Sequence, residues 1–586
     1  MTNAMKSIGR NEMAAHPYTT SDAFLEALQE QGVQYIFANL GSDHPAIIES
    51  LTRRELNGIA SPQLVISQHE MVAMSAAHGY AQVTGKPQAV MVHVDVGTQN
   101  LGGAVHNAAK ARIPVFIFAG TSPATMEGEL MGTRNEYIHW LQDVYDQRGI
   151  VREYMKYSNE IRTGHNVKQL VYRSLQLANS DPKGPVYLIA AREVLEEEIK
   201  PCELDISGWG PISVSALPMQ DIRNIAEQLM QAQYPLIVTS YVGRSKQAVE
   251  ELIRLADRLA IPVIESVPYY MNFPHDHPMH SGYMWNEQRQ NEHIAKADFI
   301  LVLDSDVPWI PSINRPSPGC KVVYVDVDPL KEKTPLWYIP SEKFYRASSA
   351  VVLQQLNEYL DGVQLEHADR IQRRYAEVSE AHRRQRQEWR GLEKPDGDRI
   401  TPEYLTACVG QVVGEEAIVL SETITNFSTV NKHLPRNKSG TYYSLGAGAL
   451  GWNGGAAIGV KLASPDKLVV NLTGDGCYIF SQPTSVHWMS RKYNAPFLTV
   501  IYNNEQWAAP RFSTLSVHPD GYASKSGRFW TTFEPSSDLA KVAEAAGGAY
   551  ASTVTSAGQL MEELRKAVEE VKNGRSAVVD VRITAN

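Results

Sequence analysis

The sequence predicts an α/β protein made of three doubly wound domains with mainly parallel sheets. Its 586 residues are roughly three to four times the length of a usual domain, so several separate cores are expected. Short apolar runs, typical of buried strands, alternate with segments in which apolar residues recur at helical spacing. This alternation occurs in three stretches of the chain. Apolar strands separated by helices indicate parallel sheets that are covered on both faces.

The first stretch, residues 17–195, begins with the amphipathic segment SDAFLEALQEQG. Ser21 or Asp22 is a candidate N-cap of this helix, and Gly32 is its expected end. The runs predicted as strands are VQYIFANLG, LVIS, QAVMVHV, PVFIFAG and GPVYLIA. These elements are enough for one domain. An acidic segment with prolines, residues 196–218, is expected to be a linker.

The second and third stretches, residues 215–360 and 401–586, repeat the same pattern. The second contains the strand candidates YPLIVTSYVG, IPVIESV, ADFILVLDSD and KVVYVDVDP. The third contains EEAIVLSE, LVVNLTGD, PFLTVIYNN and SAVVDVRIT. We therefore expect a central domain and a C-terminal domain of the same class as the first.

The segment between them, residues 361–400, is predicted to be a charged helical linker. Seven arginines lie from Arg370 to Arg390, which admits a nucleic-acid-binding patch as one interpretation. Acidic residues interrupt these arginines, and no series of aromatic residues accompanies them. The formal net charge of −10 would also repel nucleic acid and acidic membranes. We expect a solvated helix between domains, with no nucleic-acid partner and no membrane partner.

The composition is that of an ordinary globular protein, with 43% hydrophobic and 20% charged residues. No apolar run reaches the roughly 18 residues of a membrane-spanning helix, and the first residues contain no signal-peptide core. The four cysteines lie far apart, without the spacing of metal ligands. These features predict a cytoplasmic protein with free thiols and favour an enzyme that acts on small molecules.

The segment NLTGDGCYIF places a carboxylate, Asp475, between two glycines directly after a predicted strand. The next predicted strand ends in Asn503 and Asn504, and residues 477–502 leave room for one crossover helix between the two strands. Ligands of parallel sheets bind at the carboxyl ends of strands, and Mg²⁺ prefers oxygen ligands together with phosphate. An isolated Gly-Asp-Gly is commonly an ordinary tight turn. The combination instead predicts a diphosphate held through a metal ion.

This pair of motifs, GDG followed about thirty residues later by NN, resembles the thiamin diphosphate motif of thiamin-dependent enzymes. The resemblance implies that Asp475, the side chain of Asn504 and the backbone carbonyl of Gln506 are metal ligands. It also implies cofactor contacts at Gly474, Gly476 and Cys477. The spacer between the motifs is slightly longer than in the relatives, which leaves the course of the chain after Gly476 open.

The glycine-rich segment SLGAGALGWNGGAAIGVKLASPDK is similar to the segment that holds the aminopyrimidine in acetohydroxyacid synthase and its relatives. In those enzymes a bulky apolar residue bends the cofactor, and Leu450 occupies the matching position. The carbonyl of Gly448 would face the 4′-amino group. The alternative is a flexible glycine loop that leads into a helix.

The segment SQHEMVAMSAAHGYAQVTGKP resembles a strand-to-helix turn of the same family that carries an essential glutamate, here Glu70. Thiamin becomes nucleophilic only when a carboxyl group exchanges a proton with the pyrimidine ring. Such a glutamate should lie in a dry pocket, because burial brings its pKa closer to that of the ring nitrogen. The alternative is a glutamate that only favours a helix N-terminus.

Three further segments resemble relatives on the substrate side. VMVHVDVGTQNLGGAVHNAAKARIPVFIFAG is similar to a stretch of benzoylformate decarboxylase and places His93 at that enzyme's histidine. FANLGSDHP places Ser42 where a serine contacts the substrate carboxylate, although Asp43 and His44 depart from that enzyme. NFPHDHPMHSG matches a segment of several members and points to His277. The alternative for each histidine is a structural role.

The resemblance extends over nearly the whole chain and implies a thiamin diphosphate-binding fold, with pyrimidine-binding, central and diphosphate-binding domains. It implies thiamin diphosphate- and Mg²⁺-dependent cleavage or formation of C–C bonds in 2-ketoacids or related carbonyl compounds. The expected enzyme is an acetolactate synthase-like carboligase or a decarboxylase, and so a transferase or a lyase. FAD is not favoured, because VTSYVGRS is only a partial glycine-rich turn.

In this family the active site lies between Glu70 of one subunit and the diphosphate-binding domain of another, so a homodimer or homotetramer is implied. One alternative within the family is a 2-hydroxyacyl or acyloin lyase, or a diketone-cleaving enzyme. The alternative from another class is a non-catalytic sensor or scaffold. Retention of Glu70, Asp475 and Asn504 together argues against that alternative, because a scaffold needs none of them.

Overall fold

The computed structural model describes residues 17–584, and within them three six-stranded parallel sheets are interleaved with helices. The predicted fold class is confirmed. The described residues form two compact units. The first comprises residues 17–77, 86–109 and 113–211; the second comprises residues 78–85, 110–112 and 212–584. The segment on which the expectation of no signal peptide rests, residues 1–16, lies outside the described residues.

The first sheet has the order β2-β1-β3-β4-β6-β5. Its strands are β1 (Tyr35–Ala38), β2 (Gln63–Ile66), β3 (Gln88–Val92), β4 (Val115–Thr121), β5 (Tyr157–Ile161) and β6 (Val186–Ala191). The α-helices of this stretch are Thr20–Glu30, Pro45–Leu56, Glu70–Thr84, Val94–Asn100, Gly103–Lys110, Ile138–Leu141, Val167–Asn179 and Arg192–Glu196. The predicted N-cap of the first helix is wrong, because the cap is Thr19. Asp22 lies three residues inside the helix and accepts the backbone N–H of Thr19 at 2.9 Å.

The second sheet has the order β12-β11-β10-β7-β8-β9. Its strands are β7 (Pro235–Thr239), β8 (Val263–Ser266), β9 (His280–Met284), β10 (Phe299–Leu303), β11 (Lys321–Asp326) and β12 (Lys343–Arg346). Its helices are Met219–Gln231, Lys246–Leu259, Glu292–Lys296 and Ser349–Asp361. The four strands that the sequence predicted, β7, β8, β10 and β11, lie side by side in the middle of this sheet.

The third sheet has the order β14-β13-β15-β16-β18-β17. Its strands are β13 (Ile418–Glu422), β14 (Tyr442–Ser444), β15 (Val469–Gly474), β16 (Leu498–Asn503), β17 (Tyr550–Val554) and β18 (Ala577–Arg582). Its helices are Pro402–Val413, Phe427–His433, Trp452–Ala463, Asp475–Phe480, Pro483–Lys492, Ala508–Val517, Tyr522–Ser526, Leu539–Gly547 and Ala557–Lys572. Two of these helices, Asp475–Phe480 and Pro483–Lys492, occupy the spacer between the two predicted motifs.

The strands that carry those motifs are neighbours. Gly474 on β15 lies opposite Tyr502 on β16, and the strands run parallel. Asp475 and Asn503 therefore leave the sheet at adjacent positions of the same edge, as the sequence predicted.

The charged segment forms the helix Ala368–Leu392, but it is less solvated than predicted. Arg374 and Arg386 are buried in it. The Arg374 guanidinium donates to the carbonyl of Ala260 at 2.9 Å, and Arg386 donates to the carbonyl of Lys432 at 2.8 Å. These contacts indicate that the two arginines stabilise the fold rather than bind phosphate groups.

Two further expectations concern membranes and thiols. Across residues 17–584, none of the helices combines the length and the apolar character needed to cross a membrane. The four cysteines, which all lie in this range, are unpaired.

Candidate active site

The tip of β15 holds a buried carboxylate with an unused oxygen. Asp475 is 4% exposed, and its Oδ1 accepts the backbone N–H of Gly476 at 2.8 Å. Its Oδ2 is buried without a hydrogen-bond partner among residues 17–584. Burial raises the pKa of Asp475 to about 6, although the backbone N–H groups of Gly476, Glu505 and Gln506 lower it. A buried carboxylate in this state gains free energy when it binds a cation.

The two asparagines at the tip of β16 differ in their hydrogen bonds. Asn503 is committed to the sheet, because its amide donates to Asp580 on β18 at 2.8 Å. Asn504 is half-buried, and its Oδ1 accepts only a long hydrogen bond of 3.4 Å from the backbone of Gln506. Glu505, which lies between Asn504 and Gln506, has a left-handed φ of 58°, which turns the chain sharply. Asn504 is therefore the asparagine with a side-chain oxygen available beside Asp475.

The glycines around Asp475 differ in what the structure requires of them. A Cβ at Gly476 would lie 2.4 Å from Nε1 of Trp507, so a larger residue there requires the Trp507 side chain to move. A Cβ at Gly474 would meet only Sγ of Cys477 at 4.0 Å, which is ordinary contact. Cys477 is buried, and burial raises the pKa of its thiol well above the usual range. Its thiol donates a hydrogen bond to the side chain of Glu422.

Glu422, at the tip of β13, was missed by the sequence analysis. Its carboxylate accepts the backbone N–H groups of Gly451 at 2.6 Å and of Asn453 at 2.9 Å. Burial raises its pKa to about 8, although these hydrogen bonds lower it. Glu422 thus fixes the turn that follows Leu450 and begins the helix Trp452–Ala463. The available signal was the run AIVLSE, which ends in a carboxylate at the tip of a strand next to β15.

The predicted aminopyrimidine segment lies on this turn. Gly451 has a φ of 93°, a conformation that glycine adopts at little cost. Leu450 is half-buried and Gly448 is exposed, with open space where a Cβ would be. The structure therefore explains the glycine at 451 and leaves the backbone of Gly448 accessible to a ligand.

Glu70 lies in the first unit, at the start of the helix Glu70–Thr84. It is 8% exposed, and Asn100 donates a short hydrogen bond to its Oε2. A Cβ at Gly97 would lie 3.3 Å from Oε1 of Glu70, so small residues confine this carboxylate. The carboxylate of Glu70 is therefore buried, and its role in proton exchange stays a prediction.

Ser42 and His93 lie close together in the same unit. His93 Nδ1 is 2.5 Å from Asp43 Oδ1, and His93 Nε2 is 2.9 Å from Gln142 Oε1. The Gln142 amide nitrogen faces Ser42 Oγ at 3.5 Å. Gln142 was missed because it is a single glutamine far from Ser42 in the sequence.

His277 is held within the second unit by its own surroundings. Its Nδ1 accepts the backbone N–H of Met279 at 3.1 Å, and its Nε2 lies 3.3 Å from Asp257. Its ring packs edge-on against Phe273. Both nitrogens are engaged, which favours a structural role, and a catalytic role for His277 stays a prediction without support from these contacts.

The tips of the second sheet are filled by an ion-pair network. Lys331 is buried and lies 2.7 Å from Asp326, at the end of β11. Arg112 lies 2.8 Å from Asp306, which follows β10. Tyr241, which follows β7, donates a short hydrogen bond to Asp306. Protein side chains therefore satisfy these carboxylates.

Comparison with known proteins agrees with this arrangement. Residues 18–150, 222–334 and 423–581 match the N-terminal, central and C-terminal domain models of thiamine pyrophosphate enzymes. The chain therefore belongs to the family of thiamine pyrophosphate (thiamin diphosphate) enzymes.

Two curated relatives match over most of their length. The acetolactate synthase large subunit of Buchnera aphidicola is 23% identical and matches over 96% of this chain and 94% of its own. The sulfoacetaldehyde acetyltransferase of Castellaniella defragrans is 24% identical, over 96% and 92%. Among solved structures, the 4-hydroxybenzoylformate decarboxylase of Rhodococcus jostii superposes with a TM-score of 0.76 at 22% identity, over 97% of this chain and 100% of its own. The similarity covers all three domains.

The residues at the tips of β15 and β16 fit the metal-bound diphosphate of this family. The unused Oδ2 of Asp475 and the available Oδ1 of Asn504 are hard oxygen donors of the kind that Mg²⁺ prefers. A cation bound there would also remove the cost of burying Asp475 without a partner.

Proposed function

We propose that the protein catalyses thiamin diphosphate- and Mg²⁺-dependent cleavage or formation of a C–C bond in 2-ketoacids or related carbonyl compounds. The single observation that carries the proposal is the buried, unpartnered Oδ2 of Asp475 beside Asn504, in a chain of this family. The names of the relatives, an acetolactate synthase and an acetyltransferase, support a reaction at a carbonyl carbon.

In this proposal Asp475, Asn504 and the backbone carbonyl of Gln506 hold the metal ion. Gly448 and Leu450 hold the pyrimidine ring. Bound thiamin diphosphate would supply a nucleophilic carbon and an electron sink for the bond that breaks. Contacts with the cofactor are also proposed at Gly474, Gly476, Cys477 and Glu70.

Glu70 would exchange a proton with the pyrimidine ring, and Asn100 would orient its carboxylate. Ser42 and His93 would face the substrate, with Ser42 donating to its carboxylate. The three domains would then be pyrimidine-binding (17–195), central (215–360) and diphosphate-binding (401–586), with residues 361–400 as the helical connection.

We further propose a homodimer or homotetramer of cytoplasmic location, in which Glu70 of one subunit meets the diphosphate-binding domain of another. Large apolar side chains are exposed in the first unit, where Tyr137 is 93% and Leu141 80% exposed. Others are exposed in the second unit, where Tyr522 is 96% and Trp530 91% exposed. These side chains support the proposed assembly, because large exposed apolar patches commonly mark surfaces that a protein partner covers. Light scattering at increasing protein concentration tests the assembly.

Calorimetry on chelator-stripped protein tests cofactor binding. Thiamin diphosphate should bind when Mg²⁺ is restored and should bind poorly without it. The matched variant Glu70→Gln should keep this metal-dependent binding and lose turnover, because it changes the proton exchange and not the metal ligands. Absence of binding by the wild-type protein with Mg²⁺ would refute the proposal.

Mass spectrometry of products tests the reaction. The loaded enzyme is offered 2-ketoacids alone and together with aldehyde acceptors. Release of CO2 and an aldehyde would indicate a decarboxylase, and an acyloin or acetohydroxy acid would indicate a carboligase. If the loaded wild-type enzyme turns over no member of the panel while Glu70→Gln assembles equally well, the sensor or scaffold alternative is favoured.

We propose that the central domain carries no FAD, because Lys331, Arg112 and Tyr241 fill the tips of its sheet. Purified protein should show no flavin absorbance, and added FAD should give no fluorescence quenching.

A further inference from the structure

His93 lies between two hydrogen-bond acceptors. Its Nδ1 faces the carboxylate of Asp43 at 2.5 Å, and its Nε2 faces the side-chain oxygen of Gln142 at 2.9 Å. Gln142 turns its amide nitrogen toward Ser42, which leaves the oxygen for His93. A neutral imidazole has only one N–H to donate, so two acceptors are satisfied only by the protonated ring.

The carboxylate of Asp43 is anchored so that it keeps facing His93. Its Oδ2 accepts the backbone N–H of Val94 at 3.1 Å and that of Gly120 at 2.9 Å. Asp43 is almost fully buried. Burial alone would raise its pKa, but its hydrogen bonds with His44 and His93 hold the pKa well below the usual range. A buried anion in such a place requires a positive partner.

Two glycines make room for this pair. A Cβ at Gly41 would lie 2.0 Å from Nδ1 of His93, inside the imidazole ring's own space. A Cβ at Gly120 would lie 2.4 Å from Oδ2 of Asp43. Neither position tolerates another residue without moving the pair. The contact between Asp43 and His93 therefore depends on a glycine beside each of the two side chains.

The backbone next to His93 is also strained. Val94 has a φ of 28°, which is a rare conformation for a β-branched residue. Its N–H is one of the two that bind Asp43. Strain of this kind persists where the surrounding structure fixes it, commonly at functional sites.

The other titratable groups around the ring distinguish which histidine carries the charge. His44 is fully buried, its Nδ1 lies 2.9 Å from Oδ1 of Asp43 and 3.1 Å from the backbone nitrogen of Gly41, and its Nε2 has no partner among the described residues. Asp43 thus has two imidazole neighbours, and the ring of His93 is the one that is partly exposed to solvent. The His93 side chain is 19% exposed, and Asp95 on the helix that follows it adds a second negative charge.

We propose that Asp43 is a positioning residue that keeps His93 protonated, so that His93 acts as a proton donor in the reaction. The catalytic part rests on the proposed function; the charge on His93 does not. In the transfer a substrate group displaces Gln142 from Nε2, the proton leaves Nε2, and the ring becomes neutral with its Nδ1–H still on Asp43. Burial lowers the pKa of His93, but the hydrogen bond and charge of Asp43 outweigh it and raise the pKa.

Chemical labelling tests the charge without any cofactor. Diethyl pyrocarbonate reacts with neutral imidazole, so labelling of His93 against pH, followed by mass spectrometry, reports its protonation. In wild-type protein His93 should begin to react at a higher pH than an ordinary histidine. In Asp43→Asn this pH should fall by about one unit or more, which corresponds to a tenfold change in the protonation equilibrium. His106, thirteen residues away in the sequence, is an internal control that should not change.

A second variant separates the effect of Asp43 from damage to the fold. Gln142→Leu removes the acceptor at Nε2 and keeps Asp43, so His93 should shift in the same direction by a smaller amount. Asp43→Asn should also keep metal-dependent binding of thiamin diphosphate, measured by calorimetry. If His93 labels like an ordinary histidine in wild-type protein, or Asp43→Asn does not shift it, the proposal is wrong.

Turnover gives the catalytic part its own readout. A proton donor is needed in its protonated form, so kcat/KM should fall at high pH, and this fall should move to lower pH in Asp43→Asn. If labelling of His93 shifts as expected in Asp43→Asn but the pH profile of kcat/KM does not change, His93 is protonated and is not the proton donor. Failure of the proposed function would appear instead as absent cofactor binding in the wild-type protein.

Discussion

Carboxylates lie at the strand tips of both the second and the third sheet, but the side chains around them differ. In the second sheet Asp326 has Lys331 at 2.7 Å and Asp306 has Arg112 at 2.8 Å. In spite of burial, these cations lower the pKa of Asp306. In the third sheet burial raises the pKa of Asp475 to about 6. Parallel topology provides a place for a ligand at the strand tips, and the side chains there decide whether protein groups fill it.

The largest effect is expected from removing the internal cation of the second sheet. Lys331→Met leaves Asp326 and Asp306 with less positive charge in a buried site. Breaking such a pair costs about 3–5 kcal/mol of the free energy of unfolding. Chemical denaturation followed by tryptophan fluorescence measures this loss. Metal-dependent cofactor binding should be retained by the folded fraction.

The control for that change is Lys333→Met, at an exposed position two residues away. It should lower the free energy of unfolding by less than about 0.5 kcal/mol. Equal losses in the two variants would show that the ion pairs of the second sheet are not what stabilises it.

The second effect concerns Asp475, the proposed metal ligand in the third sheet. Asp475→Asn should lower the affinity for thiamin diphosphate, at a fixed Mg²⁺ concentration, by at least about a hundredfold, or about 2.7 kcal/mol. Stability of the unliganded protein should be equal or higher, because a buried carboxylate without a partner has been removed. Calorimetry measures the affinity, and the exposed-site variant Asp466→Asn is the matched control. Unchanged affinity in Asp475→Asn would end the assignment of Asp475 as a ligand.

The effect that is smallest over any single pH unit is a pH dependence from Glu422. Its pKa rises from the ordinary 4.5 to about 8 on folding. Between these values the folded state keeps a proton that the unfolded state has lost, so stability falls as pH rises, by at most about 1.4 kcal/mol per pH unit. Glu422→Gln cannot titrate and should lack this decline. Thermal midpoints from pH 5 to 8 measure the difference, with exposed Glu415→Gln as control; parallel curves for wild type and Glu422→Gln would contradict the expectation.

Much of the fold could be predicted from the sequence, and the unpredicted strands share a cause. β5, β9, β12, β14 and β17 were not predicted, and each lies at the edge of its sheet. Edge strands have one strand neighbour and commonly carry polar residues. β12 reads KFYR and β17 reads YASTV, with several positions open to solvent. Such segments lack the continuous apolar run that identifies an interior strand of a parallel sheet.

The candidate site was predicted where function depends on strand tips and motifs, and missed where it depends on tertiary contact. Asp475 and Asn504 could be found because each follows an apolar strand. Glu422 follows one too, but its role depends on N–H groups of a turn about thirty residues away. The hydrogen bond between Gln142 and His93 spans 49 positions, and no local pattern in the sequence encodes it.

The helix Ala368–Leu392 also limits how the second and third sheets can move relative to each other. Arg374 donates to the carbonyl of Ala260, just before β8, and Arg386 donates to the carbonyl of Lys432, in the helix Phe427–His433. The helix Ala368–Leu392 therefore connects the second and third sheets through both arginines. A rotation of one sheet relative to the other would break the buried hydrogen bonds between these guanidinium groups and the backbone carbonyls.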